Sequence, residues 1–164
     1  MRGQSASRTR CEGALPVTGQ QRSASGHRTV AHTADLRVEA WSPTVAGCIT
    51  EAVRAVVEGF ADTSAARPVG ERVCEVSAAA DEDLLVAVLE EVVYRMDADG
   101  EIPLDTEVLA IRDTADGRAL SVRFRMADAG TAEPVGAVPK AVSLHGLHLR
   151  GGPDGWTCAV TVDV

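Results

Sequence analysis

The sequence predicts a single α+β domain, a two-layer sandwich in which two helices lie on one face of a largely antiparallel sheet. Three observations support this prediction. The 164 residues suit one domain with a substantial core. Two segments in the first 100 residues show helical spacing of apolar residues, and each follows a strand-like segment. The rest of the chain alternates as strands do, which gives the order β-α-β-α-β-β-β-β.

The first predicted strand lies in the stretch AHTADLRVEAW, residues 31–41. From Ala34 onward apolar and polar residues alternate, and this is the period of a half-buried strand. The alternation accounts for Leu36 and Val38 as core residues. It does not account for Asp35 at the start of the strand, beside His32, because nothing in the pattern neutralises this carboxylate.

The two predicted helices follow the first and second strands. The first covers SPTVAGCITEAVRAVVEGFAD, residues 42–62, with Ser42 as its cap and Pro43 in its first turn. The second follows the strand ERVCEVSAA, residues 71–79. It begins with the carboxylates of residues 81–83, which suit a helix N-terminus, and runs through YRM at residues 94–96.

Four further strands are predicted after the second helix. An Asp-Gly signal in TADGR, residues 114–118, predicts a hairpin between TEVLAIRD and ALSVRFRM. The segment KAVSLHGLHLR, residues 140–150, and the final stretch WTCAVTVDV, residues 156–164, supply the other two.

The first 26 residues differ in composition from the rest. They are rich in Ser, Gly, Gln and Arg without periodicity, so we predict a disordered tail before a folded domain at residues 27–164. They lack the apolar stretch of a secretory signal, and no run approaches the ~20 apolar residues of a membrane span. We therefore expect a cytoplasmic protein that does not contact a membrane.

Charge and cysteine spacing exclude several function classes. Residues 28–164 contain 12 basic and 23 acidic residues, so we expect no direct binding to nucleic acid. The four cysteines form no CxxC pair, and three of them lie among apolar residues, which predicts small core side chains. No Gly-rich phosphate loop, HExxH or GxSxG motif is present, and no catalytic residue is predicted.

A pair of carboxylates is the candidate metal site. If the first and last strands are neighbours, Asp35, Asp163 and the main-chain carboxylate of Val164 converge, and a hard divalent cation such as Ca²⁺ would relieve their repulsion. Spacing alone leaves the alternative open that Asp35 is a solvated edge charge and Asp163 a frayed terminal residue.

Lys140 is the only lysine beside fifteen arginines, which indicates either a required ammonium group or chance survival. His145 and His148 lie three apart in a predicted strand, hence on opposite faces, and either can be structural.

Several of these motifs together resemble the archease family. They are HTADL at the opening of a strand, the acidic helix DEDLLVAVLEEVVY, the segment KAVSLHGL, and a chain that ends in VDV. The resemblance covers about residues 28–164. Archeases are accessory proteins of the RtcB-type tRNA-splicing RNA ligase. The resemblance therefore implies an activator that promotes guanylylation of the ligase and multiple turnover, rather than an enzyme.

The resemblance also implies a site and a partner surface. Family members bind a divalent cation, usually calcium, and the matching ligands here are Asp35, Asp163 and the main-chain oxygen of Val164. We expect His32, Lys140 and His145 to face the ligase. The alternative is a small metal-dependent hydrolase that uses the Asp35 and Asp163 site, with His32 or His145 as its base.

Overall fold

The computed structural model describes residues 24–31 and 34–164. The helices are α1 (Val45–Phe60) and α2 (Asp81–Asp99), and a 3₁₀ turn spans Ala129–Thr131. The strands are β1 (Gly26–Ala31), β2 (Asp35–Ser42), β3 (Ala61–Asp62), β4 (Pro68–Ala78), β5 (Glu101–Thr114), β6 (Gly117–Asp128), β7 (Glu133–Pro134), β8 (Ala141–Gly152) and β9 (Gly155–Asp163).

The main strands form two antiparallel sheets. The first sheet has the order β1-β2-β9-β8, and the second has the order β4-β6-β5. Two short strands, β3 and β7, pair only with each other. The α+β class with two helices on antiparallel sheets is confirmed. The expectation of one sheet is wrong, because alternation tells which residues face inward but not where a sheet has its edges.

One core joins both sheets and both helices. Helix α1 packs against β1, β2 and β9 of the first sheet and against β5 of the second, while α2 contacts β8 and all three strands of the second sheet. Val38 and Val160 from the first sheet and Phe124 from the second are fully buried in this core. The helices therefore couple the two sheets.

Helix α1 begins later than predicted. Thr44 is its N-cap and accepts a hydrogen bond from the Gly47 amide at 3.0 Å. Ser42 instead ends β2, where it is buried and its hydroxyl accepts a hydrogen bond from the Ser25 hydroxyl at 3.0 Å. The prediction of Ser42 as the cap was wrong because a short hydroxyl residue suits both the end of a strand and a cap.

Helix α2 begins with the three predicted carboxylates at Asp81–Asp83. It extends three residues beyond the predicted end and stops at Gly100, whose φ of 65° is a left-handed conformation that favours glycine. The hairpin between β5 and β6 forms at the predicted Asp-Gly signal.

Strand β1 was not predicted, because its sequence, GHRTVA, shows no clear alternation. It pairs with β2 and is held to α1 by His27. The two ring nitrogens of His27 lie 2.7 Å from a Glu51 carboxylate oxygen and 2.9 Å from a Glu58 carboxylate oxygen. Tertiary contacts rather than local pattern therefore define this strand.

Residues 1–23, most of the predicted tail, lie outside the described residues. Within the described part of the chain, neither helix is long and apolar enough to span a membrane. Cys48 and Cys158 are buried, and burial raises the pKa of the Cys74 thiol to about 11. These three cysteines are core side chains, as predicted, and Cys11 lies outside the described residues.

The shared core makes one prediction about stability. Phe124→Ala, in the central strand of the second sheet, should lower the free energy of unfolding by about 3–5 kcal/mol because it leaves a cavity. Both tryptophans, Trp41 and Trp156, lie in the first sheet. Tryptophan fluorescence in a urea titration should nevertheless report the full loss, together with far-UV circular dichroism.

Val73→Ala, at an exposed position of β4, is the control and should change stability by less than about 0.5 kcal/mol. A fluorescence midpoint that stays unchanged in Phe124→Ala while circular dichroism shows an earlier transition would contradict a shared core.

Candidate metal centre

The centre lies where β2 begins and β9 ends. These strands pair antiparallel in a continuous register from Asp35 opposite Asp163 to Ser42 opposite Trp156. The condition set by the sequence, that the first predicted strand and the last strand be neighbours, is therefore met. Leu36 and Val38 face the core, and Asp35 is on the opposite, half-buried face.

Asp35 and Asp163 are direct cross-strand partners. The Val164 amide donates to the Ala34 carbonyl at 3.2 Å, which makes the next pair along the ladder a hydrogen-bonded one. Because hydrogen-bonded and non-hydrogen-bonded pairs alternate, Asp35 and Asp163 form a non-hydrogen-bonded pair. In such pairs the Cα atoms are about 4.5 Å apart and the side chains approach most closely. Two acidic residues therefore lie directly opposite each other at this end of the sheet.

The main chain around Asp163 is held on both sides. Its carbonyl accepts a hydrogen bond from the Lys140 amide at 2.8 Å, and Ala141 at the start of β8 is its register partner. The Val164 amide is fixed by Ala34, as described above. The backbone thus carries the two acidic side chains and the Val164 main-chain oxygens on the same pair of strand ends.

No described residue neutralises the two carboxylates through a hydrogen bond or an ion pair. Arg37, the next outward residue of β2, contacts Glu39 at 3.5 Å. Arg28, by hydrogen bonding to Glu39, holds the pKa of that carboxyl below its ordinary value. Among residues 24–31 and 34–164, no three His, Cys, Asp or Glu side chains cluster as metal ligands. Among the described side chains, this position therefore offers two carboxylates without a third clustered acidic, thiol or imidazole group.

A bulge in β8 lies beside this surface. The register between β8 and β9 shifts between Ser143 and His148, so residues 144–147 leave the ladder. Gly146 has φ of 68°, and a Cβ added there would lie 2.9 Å from Arg37 Nη1. The bulge therefore packs close to Arg37, a neighbour that sequence reasoning missed. The glycine inside a strand pattern was the available signal.

The three residues that were expected to face a partner differ in what the structure describes of them. Lys140 is exposed, and its ammonium group forms no ion pair within the described chain. His145 is exposed in the bulge, where its carbonyl accepts a hydrogen bond from the Thr161 hydroxyl at 3.4 Å. His32 lies outside the described residues. The simple alternation expected for His145 and His148 does not apply, because the bulge interrupts the strand between them.

Comparison with known proteins shows which family this chain resembles. The model of the Archease protein family matches residues 27–164. A protein of Mycobacterium tuberculosis strain CDC 1551 / Oshkosh, named "Probable protein archease", is 52% identical over 146 residues, which are 89% of this chain and 79% of the relative. The chain belongs to the archease family. A relative with the same name in strain H37Rv matches to the same extent.

Two solved structures share the fold. The solution structure of Methanobacterium thermoautotrophicum protein 1598 superposes with a TM-score of 0.71 at 22% identity and covers 85% of this chain and 99% of its own. The crystal structure of a Thermotoga maritima archease, described as a possible chaperone, gives a TM-score of 0.54 at 19% identity and covers 84% and 96%. The names of these family members describe a protein or a possible chaperone and no enzymatic activity.

The cross-strand pair makes a prediction for the metal-free protein. Like charges directly opposite each other in a sheet are destabilising, by about 0.2–1 kcal/mol. Asp35→Asn and Asp163→Asn should therefore each leave the melting temperature unchanged or slightly raised in EDTA at low salt, and high salt should reduce any gain.

Asp154→Asn, in an exposed turn, is the control and should not respond to salt in this way. A clear fall in the melting temperature of both Asn variants in EDTA would contradict this prediction. It would show that each carboxylate stabilises the strand ends through favourable contacts with other residues.

Proposed function

We propose that this protein is a metal-binding accessory factor that activates an RtcB-type tRNA-splicing RNA ligase by promoting its guanylylation and multiple turnover. Membership of the archease family is the observation that carries the proposal. The direct opposition of Asp35 and Asp163 supports it, because these residues match the ligands that the family resemblance implies.

The residues present fit a calcium ion. Ca²⁺ prefers six to eight oxygen ligands, many of them carboxylates and main-chain carbonyls. Asp35 and Asp163 are cross-strand partners whose carboxylates no described residue neutralises, and the main-chain oxygens of Val164 follow Asp163 directly in sequence. Asp163 is exposed, so the pair is open to solvent and to a partner. When bound, a divalent cation would offset the repulsion between these groups.

The role of this chain's own residues is to present an ordered surface to the ligase. Pairing of β2 with β9 fixes Asp35 and Asp163, and the Lys140 amide fixes the carbonyl of Asp163. The exposed Lys140 and His145 flank the same strand ends through β8. A partner that docks here would contact acidic, basic and imidazole groups on one rigid sheet edge. We propose that this contact favours the form of the ligase that accepts the guanylyl group.

Replacing a ligand tests the link between metal and function. Asp35→Ala should abolish both the calcium-dependent rise in melting temperature and the stimulation of the cognate ligase. The wild type should gain about 2.7 kcal/mol at a hundredfold excess of Ca²⁺ over its Kd. Thermal melts with and without Ca²⁺, followed by single-turnover guanylylation of the purified ligase, measure both effects.

Asp154→Ala is the matched control and should behave as wild type in both assays. An Asp35→Ala protein that activates the ligase fully, or that gains as much stability from Ca²⁺ as wild type, would show that Asp35 is a solvated edge charge. The alternative function, a metal-dependent hydrolase, instead predicts turnover by the protein alone.

Chain extension tests the main-chain ligand. A form that ends at Val164 should bind Ca²⁺ more tightly than a form extended by Gly-Ser, because extension converts a carboxylate into a neutral peptide carbonyl. Isothermal titration calorimetry of the two forms measures the difference. Equal affinities, with equal melting temperatures in EDTA, would remove Val164 from the ligand set.

A further inference from the structure

A groove on the surface lies between the second half of α2 and the segment that leads into β8. Its volume is about 610 Å³. One wall is a stripe of α2 that contains Glu90, Val93, Tyr94 and Asp97, and the opposite wall includes Val138 and Val142. We call this surface the α2 groove.

Exposed apolar side chains contribute to both walls of the α2 groove. Tyr94 is 58% exposed and Val138 is 52% exposed, although both are large side chains with apolar surface. Exposed apolar side chains that line a common concave surface, with polar groups at its rim, are typical of a protein interaction site.

Two unpaired carboxylates lie on the helical wall of the groove. Glu90 and Asp97 are seven residues apart, hence on one face of α2, and neither forms a hydrogen bond or ion pair with a described residue. Their neighbours on α2 behave differently: Arg95 pairs with Glu91 at 2.7 Å and with Asp99 at 3.1 Å. The groove therefore offers two free negative charges that bracket its apolar part.

The α2 groove is joined to the candidate metal centre. Lys140 and Ala141 also line the groove. The amide of Lys140 donates to the carbonyl of Asp163, and Ala141 is the register partner of Asp163. A partner that contacts the strand ends at Asp35 and Asp163 therefore reaches the α2 groove by passing around the edge of the sheet that β8 forms.

We infer that the α2 groove binds a short segment of the RNA ligase in which apolar side chains are flanked by Lys or Arg. This inference rests on the proposed function. Seven residues of helix place Glu90 and Asp97 about 10 Å apart along α2. Two basic side chains three positions apart on a segment in the polyproline II conformation match this separation, because that conformation has three residues per turn and rises about 3.1 Å per residue, which places both side chains on the same face. The apolar side chains of the segment pack on Tyr94 and Val138.

The test compares charge variants for their affinity to the purified cognate ligase. Glu90→Lys/Asp97→Lys should raise the Kd at least tenfold, because both favourable contacts become repulsive. Glu90→Gln/Asp97→Asn should give an intermediate increase. The affinity of the wild type should fall with added salt, and the neutral variant should show a weaker salt dependence. Isothermal titration calorimetry of the wild type and the two groove variants at two salt concentrations measures each Kd and its salt dependence.

Asp116→Lys/Asp154→Lys is the matched control, with the same change in net charge at two exposed turn positions outside the groove. It should change the Kd less than twofold. Calcium affinity and melting temperature should be the same in all variants, which separates the groove from the metal centre and from folding. Tyr94→Ala should weaken ligase binding without affecting calcium affinity.

Two results would overturn the inference in distinguishable ways. If wild type stimulates the ligase but the groove variants bind it no more weakly than the control, the α2 groove is not the docking site and the proposed function stands. If wild type neither binds nor stimulates the ligase, the proposed function fails, and the inference fails with it.

Discussion

The antiparallel pairing of β2 with β9 is the contact on which the rest of the structure depends. The two strands are the central pair of the first sheet. Their register directs Leu36 and Val162 into the core and sets Asp35 opposite Asp163 on the other face. A slip of one residue would exchange these faces along the whole strand. The same register therefore specifies both the hydrophobic core and the candidate metal centre.

The core residues favour the pairing of β2 with β9, whereas the acidic residues of the candidate metal centre oppose it. Burial of valine and leucine on the inner face favours close approach of the strands. Two like charges on the outer face oppose it. The conflict is confined to the end of the ladder, where Asp35 lies opposite Asp163. Such a local conflict in an otherwise consistent fold is typical of a functional site.

The predictable parts of this fold are those with a strong local pattern. The alternation of β2, the helical spacing of α1 and the Asp-Gly hairpin were all visible in the sequence. Asp35 was singled out because its carboxylate had no local explanation. Strand β1 was missed because contacts of His27 with Glu51 and Glu58, distant in sequence, hold it to α1. The division into two sheets was missed because no local pattern encodes which strands pair.

The separation of β2 and β9 along the chain has a consequence for folding. In the second sheet, β5 and β6 are joined by a tight turn, so this hairpin can form early from local contacts. In the first sheet, β2 and β9 come from distant parts of the chain, and their association carries a large loop-closure cost. Until they associate, β2 and β9 each keep an open edge. The acidic pair is therefore assembled only on molecules in which this long-range pairing has formed, so a partner that recognises it selects protein whose first sheet is complete.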